Sequence, residues 1–305
     1  MNTSARTITK ALNGHWHGRY GICLCPAHFN TKSPALSISD GYDGRLLLRC
    51  HAGCDFLSIL EALKCLGLVA GSSNYAPPST EEMEVHRLKE LEKVKRQEAR
   101  ALQCWSMTKP LQGTLAETYL RSRGVTCLIG DILKFHPSCW HPSGQQLPAM
   151  VALVEGAERF SIHRTYLSAD GMGKALVEPA KAMLGSVSGG AVRLSGGTDR
   201  LIVCEGIETG LSLLSGLVRG SVSVCAALST SGMKALSLPD KPAELTIATD
   251  GDDAGRQAGH SLAERASALG WQVSMLPAPD GRDWNDILTM KGGLHERART
   301  YPVSA

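Results

Sequence analysis

The stretch that decides the fold is Ile247-Ala-Thr-Asp-Gly-Asp-Asp-Ala-Gly-Arg256, in which an apolar strand is followed by acidic residues and then by a helix. Asp250 ends the strand, and Asp252 follows after a single glycine. The carboxyl ends of parallel strands border the crevice where α/β sheets bind ligands, so these carboxylates are expected at that crevice. Two carboxylates this close can bind the same hydrated Mg²⁺ or Mn²⁺, and they need a cation to remain ionised together. Asp253 is expected only to cap the helix that begins at Ala254.

The sequence on both sides of this stretch alternates between strands and helices. Glu205 ends the first strand, as Asp250 ends the third, and it adds a further carboxylate at the same edge of the sheet. The alternation predicts a short parallel sheet covered by helices, which is an α/β domain. The predicted strands are Leu201–Cys204, Ser221–Cys225, Leu245–Ala248 and Gln272–Leu276, and the predicted helices are Glu208–Leu217, Gly232–Leu236 and Gly255–Leu269.

The amino-terminal region contains two short motifs, Cys25-Pro-Ala-His28 and Cys50-His-Ala-Gly-Cys54. Zinc takes four cysteine or histidine ligands in a tetrahedron, and two such motifs brought together by an antiparallel ribbon supply them. The sequence between the motifs predicts this ribbon, because the strand-like segments Leu36–Ser39 and Arg45–Leu48 flank a glycine-rich turn. We therefore predict a structural zinc site, and its ligands are Cys25, His28, Cys50 and Cys54. Cys23 in place of Cys25, and His51 beside Cys50, are alternative ligands.

Composition narrows the classes of protein that remain. A chain of 305 residues suits two or three domains, and a net charge of only +3 means that a nucleic-acid surface must come from local clustering. The first residues lack an apolar signal segment, and no apolar run reaches membrane-spanning length. We therefore expect a cytoplasmic protein, of a bacterium or of a phage-infected host, without a membrane partner. In such a reducing compartment, closely spaced cysteines more often bind metal than form disulfides.

The segment Gly71-Ser-Ser-Asn-Tyr-Ala-Pro-Pro-Ser-Thr80 predicts the first domain boundary, because its glycine, serine and proline residues interrupt regular structure. A charged helix follows from Glu81 to about Trp105, with a thin apolar stripe that includes Leu88 and Leu102. A fragment that begins near Leu111 is expected to keep the chemistry of the core. The predicted organisation is a zinc module over 1–70, a linker and connecting helix over 71–109, a mixed α+β subdomain over 110–198 and the α/β sheet over 199–305.

Residues 200–290 resemble the Toprim domain of primases. The segments that carry the resemblance are Val203-Cys-Glu-Gly-Ile-Glu-Thr209, Ala227-Leu-Ser-Thr-Ser-Gly232, the stretch 247–256 and Gly281-Arg-Asp-Trp-Asn-Asp286. The resemblance implies that Glu205, Asp250 and Asp252 are catalytic and bind Mg²⁺ or Mn²⁺. It also implies that Asp283 and Asp286 lie close to the same metal site.

The amino-terminal module resembles the zinc-binding domain of DnaG-type and phage primases. The resemblance rests on Gly14-His-Trp-His-Gly-Arg-Tyr20, Ser33-Pro-Ala-Leu-Ser37 and Arg49-Cys-His-Ala-Gly-Cys54, and on Cys-Pro-Ala-His28. Three residues separate the last two ligands, where the bacterial replicative pattern has two and phage relatives often have three. In that family the module binds single-stranded template. The residues suited to stacking or phosphate contact are Trp16, Tyr20, Lys32, Arg45 and Arg49. Trp16 can equally be a core aromatic.

The region before the sheet resembles the amino-terminal subdomain of the primase polymerase core in phage and mobile-element proteins. The similar segments are Ser161–Leu167, Lys174 and Pro179–Gly185. The resemblance implies that Arg164 and Lys181 face template and incoming nucleotide across the cleft from the acids, with Lys174 as a further contact. A cationic group is needed there, because a triphosphate and a template backbone carry more negative charge than Mg²⁺ offsets.

These resemblances imply a DNA primase that makes short RNA primers on single-stranded DNA from nucleoside triphosphates. The sequence contains no phosphate-binding loop of the G-x-x-x-x-G-K-S/T type, so a separate helicase or replication initiator is the expected partner. A phage, a plasmid or a mobile element is the expected source. Two alternatives remain: a Toprim-type nuclease or nicking enzyme, and a zinc-bearing regulatory protein that binds single-stranded DNA and has a degenerate acidic site.

Overall fold

A computed structural model describes residues 4–18, 20–28, 34–41, 45–69 and 80–290. The chain divides into two compact units, Met1–Ser79 and Thr80–Ala305, and each is described by itself. Among the described residues, no helix combines the length and the apolar character needed to cross a membrane.

The first unit is a small antiparallel sheet with two helices. Its strands are β1 (His15–Trp16), β2 (Gly21–Cys23), β3 (Leu36–Asp40) and β4 (Leu46–Cys50), in the spatial order β1-β2-β3-β4, and its helices are α1 (Ala5–Ala11) and α2 (Phe56–Cys65). Ser4 caps α1 and Asp55 caps α2, each accepting a backbone hydrogen bond from the first turn. The predicted hairpin is confirmed, because β3 and β4 pair directly, with Ile38 opposite Leu48.

Alternation along the strands separates the two faces of this sheet. Leu36 and Ile38 on β3 are fully buried and pack with Ile8 of α1 and with Ile59 and Leu63 of α2. The opposite face carries polar and exposed side chains, as expected for a sheet with one covered face. The core of the unit is therefore small, and it includes Cys25 and Cys50 of the two motifs, with Cys54 packed against it.

The second unit begins with an antiparallel subdomain. Its sheet has the order β5-β6-β7-β8-β9 and consists of β5 (Lys109–Pro110), β6 (Leu133–Trp140), β7 (Gln146–Val154), β8 (Ser161–Tyr166) and β9 (Lys181–Leu184). The helices α3 (Thr80–Ser106) and α4 (Leu115–Ser122) belong to the same unit. All six residues of β8 are buried, so this strand is covered on both faces.

The helix α3, predicted as a connector, packs its last turns onto this sheet. Ala101 is fully buried, and the Sγ atom of Cys104 lies 3.6 Å from that of Cys139 on β6. The predicted stripe does not make this contact, since Leu88 and Leu102 are about half exposed. The contact face instead consists of the small side chains of Ala101 and Cys104 together with Trp105, which do not form a regular stripe of large apolar residues.

The α/β sheet follows in the same unit. Its strands are β10 (Val192–Ser195), β11 (Arg200–Cys204), β12 (Val222–Ala226), β13 (Glu244–Thr249) and β14 (Gln272–Pro277), in the order β10-β12-β11-β13-β14. Its helices are α5 (Ile207–Ser212), which continues as a π-helical turn over Leu213–Leu217, α6 (Thr230–Ala235) and α7 (Asp253–Ala268). The four predicted strands are confirmed as a parallel set.

The strand β10 was not predicted. It pairs antiparallel with β12, so the sheet is mixed at this edge and begins before residue 199. Glycine pairs precede and follow these four residues, and the sequence gives too short a run to predict a strand. Its inward side chains, Val192 and Leu194, join a core that extends from the α/β sheet to Tyr119 of α4 and Met150 of β7. One continuous core therefore fixes the antiparallel subdomain against the α/β sheet.

Candidate functional site

Two acidic residues stand where neighbouring strands of the α/β sheet end. Glu205 follows β11 and Asp250 follows β13, and these strands pair directly up to Cys204 opposite Ala248. The connection after β11 leads to β12 on one side, whereas β13 lies on the other, so this is the point where the strand order reverses. Open α/β sheets bind ligands at such a point. The structure thus brings Glu205 and Asp250 together at the expected crevice.

Burial and like charges act on both carboxyl groups. Burial raises the pKa of Glu205, and the charges of Asp250 and Asp252 raise it further. The pKa of Asp250 is raised by burial and by the charge of Asp283, while a hydrogen bond from the Thr209 hydroxyl, 3.3 Å away, acts in the opposite direction. A bound cation would remove this penalty and keep the carboxylates ionised. The donor set therefore fits a metal ion that prefers oxygen ligands.

Asp252 caps α7, which corrects the role predicted for Asp253. The Oδ1 atom of Asp252 accepts a 2.7 Å hydrogen bond from the backbone N–H of Gly255. Asp253 lies in the first turn and forms a 2.9 Å ion pair with Arg256. Asp252 keeps a second carboxylate oxygen for other partners. Gly251 between the acids is required by space, because a side chain there would overlap the carbonyl oxygen of Pro279.

Asp283 and Asp286 close a loop next to Asp250. The backbone N–H of Asp286 donates to Asp283 Oδ1 at 2.8 Å, and the N–H of Asp283 donates to Asp286 Oδ2 at 3.2 Å. Asp283 caps the helical residues 284–290 and contributes to the raised pKa of Asp250, whereas Asp286 is exposed within the first turn of that helix. Of this predicted pair, Asp283 is the one whose charge reaches Asp250.

Asn285, between these two acids, is a residue that the sequence analysis missed. It is buried and its amide donates to the carbonyl of Arg123 at 2.8 Å and to the hydroxyl of Ser212 at 3.0 Å. Arg123 in turn donates to its Oδ1 at 2.9 Å. Asn285 therefore connects the acidic loop with α5 and with the end of α4, a contact across 162 residues that no local pattern reveals.

Lys181 and Lys174 lie together near the acids, as their predicted role requires. Both are bonded to Glu208: Lys181 Nζ is 2.8 Å from Oε2 and Lys174 Nζ is 3.8 Å from Oε1. Burial and neighbouring acids raise the pKa values of Glu205 and Asp250, and the charge of Lys181 acts in the opposite direction. Glu208 was missed as a site residue, although its position three residues after Glu205 in the similar segment was a usable signal.

Arg164 does not face the acids, and this prediction is wrong for the observed geometry. Strand alternation places it on the opposite face of the sheet from His163 and Lys181. Its guanidinium is buried and donates to the carbonyl of Trp140 at 3.0 Å and to that of Met183 at 3.3 Å. Arg164 therefore acts as a structural arginine between strands.

The zinc motifs come together within the first unit. Their ligand atoms, from Cys25, His28, Cys50 and Cys54, all lie within 4.8 Å of one another. His28 Nδ1 is 3.1 Å from Cys54 Sγ and 3.8 Å from Cys50 Sγ. Ligand distances of about 2.3 Å for sulfur and 2.0 Å for nitrogen put tetrahedral neighbours about 3.5 Å apart, so this spacing fits zinc.

Local backbone features hold this cluster. The N–H of Ala52 donates to Cys50 Sγ at 3.4 Å, and Gly53 adopts a positive φ of 96°, which glycine permits. Burial is the main reason that the pKa of Cys25 is raised to about 12, with a smaller contribution from the neighbouring thiols. A cation is needed for several thiolates to coexist here.

The two alternative ligands lie outside the cluster. The Sγ atom of Cys23 is buried and donates to the carbonyl of Leu36 at 3.7 Å. His51 Nε2 is 2.8 Å from the hydroxyl of Ser37. Among the described residues, the Cys25 group is the one set of at least three His, Cys, Asp or Glu side chains close enough to hold a metal ion.

The acidic residues that follow β11 and β13 form a more open arrangement than the Cys25 group. Mg²⁺ keeps several waters and is usually held by one or two protein carboxylates together with substrate phosphates. Glu205 and Asp250 match that requirement, with Asp252 and Asp283 able to bind through water.

The residues predicted to contact nucleic acid differ in exposure. Trp16 is half-buried against the core of the first unit, which favours its packing role. Tyr20 is 41% exposed and stacks on His17 at a ring distance of 5.2 Å. Arg49 is exposed on β4, and Arg45 is half-buried just before this strand. Lys32 lies outside the described residues.

Comparisons with known structures give distant matches. The zinc-binding and RNA polymerase domains of Aquifex aeolicus primase match with 17% identity, 96% of this chain, 81% of that chain and a TM-score of 0.39. The RNA polymerase domain of Mycobacterium tuberculosis primase DnaG matches with 17% identity and a TM-score of 0.41, and the match covers 67% of this chain and 82% of that chain. A DNA primase domain from Pseudomonas aeruginosa matches with 17% identity and a TM-score of 0.39, and the match covers 62% of this chain and 74% of that chain. TM-scores below 0.5 do not establish a common fold.

Comparisons with protein families are more specific. A search of curated proteins finds no match to the chain. A family model described as a domain of unknown function, DUF7146, matches residues 95–194, which include the last turns of α3 and most of the antiparallel subdomain. A second model, described as a Toprim domain, matches residues 200–293, which contain Glu205, Asp250 and Asp283. Residues 200–293 are therefore a Toprim domain.

Proposed function

We propose that this protein is a DNA primase, which makes short RNA primers on single-stranded DNA by metal-dependent nucleotidyl transfer. The observation that carries the proposal is the opposition of charges in one Toprim-containing unit. Glu205 and Asp250 supply carboxylates at the carboxyl ends of β11 and β13. Lys181 supplies a cation whose charge acts to lower the pKa values of both. A Cys/His cluster suited to zinc, in a segment similar to primase zinc-binding domains, occurs in the same chain.

The side chains of this site have distinct parts in the proposed reaction. When bound, Mg²⁺ or Mn²⁺ supplies positive charge that offsets the triphosphate and favours ionisation of the attacking hydroxyl. Glu205 and Asp250 would hold that ion, and Asp252 and Asp283 would contact it through water. Lys181 and Lys174, with about a third of each side chain exposed, contact the phosphates. Fixed cations near the leaving group stabilise the charge that develops during transfer.

The first unit is proposed to bind the template strand. Tyr20 offers an exposed ring for base stacking, and Arg49 offers a cation for the phosphate backbone. Arg45 and Lys32 remain proposed contacts on the sequence resemblance. We further propose that a separate helicase or initiator exposes the template, and that the protein serves a phage, a plasmid or a mobile element.

Primer synthesis on random single-stranded templates, with and without Mg²⁺, tests this function. The intact protein is expected to make short labelled RNA only with the metal, and Glu205→Gln and Asp250→Asn are each expected to reduce synthesis at least about 100-fold. Asp131→Asn, a change of the same kind at an exposed acid just before β6, serves as the matched control. Template cleavage without synthesis would instead support a nuclease, and template binding alone a regulatory protein.

A further inference from the structure

Glu208 occupies a buried position beneath the two lysines of the site. Only 8% of its side chain is exposed, compared with 35% for Lys181 and 34% for Lys174. Its Oε1 atom accepts a 2.8 Å hydrogen bond from the hydroxyl of Tyr119, which is fully buried on α4. A ligand that approaches from solvent therefore meets the two ammonium groups before it meets Glu208.

Both oxygens of this carboxylate already have partners. Oε2 contacts Lys181 at 2.8 Å, and Oε1 contacts Tyr119 and, at 3.8 Å, Lys174. Although burial would raise its pKa, the two ammonium groups lower the pKa of Glu208 well below its usual range. Glu208 is thus fixed as an anion and its coordination is filled by the protein. Glu205 and Asp250 differ from Glu208, because burial and neighbouring acids disfavour their ionised forms.

The carboxylate of Glu208 also offsets the repulsion between the ammonium groups of the two lysines. Burial lowers the pKa of Lys174, and the nearby charge of Lys181 lowers it further. His163, buried on the same face, has a pKa lowered to about 4 by burial, so it adds no charge near neutral pH. Two ammonium groups and one carboxylate leave an excess positive charge. The carboxylate of Glu208 holds both ammonium groups in place, and its single negative charge neutralises only one of their two positive charges.

We propose that Glu208 is a positioning residue, which holds Lys181 and Lys174 for the phosphates and does not bind the catalytic metal. This inference rests on the proposed nucleotide chemistry of the site. It divides the two glutamates of the segment 205–208 into a metal-facing and a lysine-holding carboxylate. It also gives Tyr119 a function, because its hydroxyl anchors the far side of Glu208.

The test measures binding of nucleotide and of metal separately, without primer synthesis. A fluorescent nucleoside triphosphate reports nucleotide affinity in the presence of excess Mg²⁺, and Mn²⁺ titration followed by electron paramagnetic resonance reports metal affinity. Glu208→Gln is expected to weaken nucleotide binding about 10-fold and to leave Mn²⁺ affinity within about 2-fold. Glu205→Gln is expected to lower Mn²⁺ affinity. Glu98→Gln, which removes another ion-paired carboxylate of the same unit, is the matched control.

Two further variants address folding and mechanism. Tyr119→Phe removes only the hydroxyl that anchors Glu208, and it is expected to weaken nucleotide binding about 3-fold without a change in Mn²⁺ affinity. In a Lys174→Met/Lys181→Met background, Glu208→Gln is expected to have no further effect on nucleotide binding. The proposal is overturned if Glu208→Gln or Tyr119→Phe weakens Mn²⁺ binding as Glu205→Gln does, or if Glu208→Gln still weakens nucleotide binding in that background. An intact protein that binds nucleotide and makes no primers would contradict the proposed function alone.

Discussion

At the scale of single residues, Glu205 and Asp250 show a conflict between function and stability. Both are half-buried beside other acids, and their pKa values are raised. A carboxyl whose pKa is higher in the folded than in the unfolded state costs stability at pH values above the folded pKa. This cost is relieved as the pH falls through that pKa, because the folded protein then takes up the proton more readily. Without a metal, the site therefore destabilises the fold at neutral pH.

Neutral variants are consequently expected to be more stable than the parent. In buffer without divalent cations at pH 8, Asp250→Asn should raise the melting temperature by about 1 to 3 °C, and Glu205→Gln should do the same. At pH 5 the gain should be smaller than at pH 8, since the raised pKa values mean that the folded parent takes up protons on these carboxyls more readily than the unfolded chain does. Thermal unfolding at both pH values measures this. An equal gain at both pH values would indicate that charge is not the cause.

Two buried cysteines of the first unit, Cys23 and Cys50, are expected to differ in their effect on zinc binding. Cys50→Ser removes a ligand of the Cys/His cluster, and structural zinc typically contributes about 10–16 kcal/mol to a small fold, so this variant should lose zinc and unfold the first unit. Cys23→Ser is the matched control, because Cys23 is buried but bonded to Leu36 outside the cluster. Metal analysis after gel filtration should find about one zinc per chain in the parent and in the control. Full zinc retention by Cys50→Ser would contradict the site.

At the scale of elements, the four parallel strands of the α/β sheet could be predicted from sequence, whereas β10 and the contacts of α3 could not. The strands β11 and β13 are apolar runs that lead to an acidic residue, and helices alternate with the parallel strands, so local pattern is enough for this part of the sheet. The packed end of α3 consists of Ala101, Cys104 and Trp105, which do not form a conspicuous apolar stripe. Its partners, Val151 and Ile162, lie far along the chain. Contacts of this kind depend on tertiary structure.

The place of α3 changes the expected behaviour of fragments. A fragment beginning at Leu111 lacks α3 and exposes the sheet face formed by Val151, Ile162 and Tyr166. We therefore expect it to melt at least about 5 °C below a fragment that begins at Thr80, or to aggregate. This revises the expectation that the shorter fragment keeps the chemistry of the core. Calorimetry and light scattering of both fragments decide the point, and equal melting temperatures would show that α3 does not stabilise the sheet.

At the scale of the whole molecule, the chain consists of a small unit with a Cys/His cluster suited to zinc and a larger unit with the Toprim domain. Sequence spacing was enough to group the four zinc ligands and to place Glu205 beside Asp250, because both arrangements follow from short motifs at strand ends. The network of Glu208, Tyr119 and Lys181 was not predictable. Its members are separated by 27 and 89 residues, and only the folded subdomain brings them together.

The two units are expected to have separate roles in primer synthesis. The fragment from Thr80 should retain metal-dependent nucleotide chemistry and lose selection of initiation sites, since template binding is assigned to the first unit. Initiation sites of the full chain and of the fragment, mapped on one set of templates, give the comparison. Identical site choice would move the first unit from template recognition to a structural or partner-binding role. We also expect protease to cut first within residues 71–80, most of which lie outside the described residues.

The thiols of Cys104 and Cys139 provide a reporter of local opening. Cys139 is 1% exposed beneath α3, so an alkylating reagent can reach it only while the helix is detached. The labelling rate of Cys139, relative to that of the exposed Cys65, converts into a free energy of detachment in the same way as hydrogen exchange. A value equal to the global unfolding free energy would mean that α3 leaves only when the entire unit unfolds. A smaller value would show that the helix detaches alone, and would give the fraction of molecules whose sheet is uncovered at any moment.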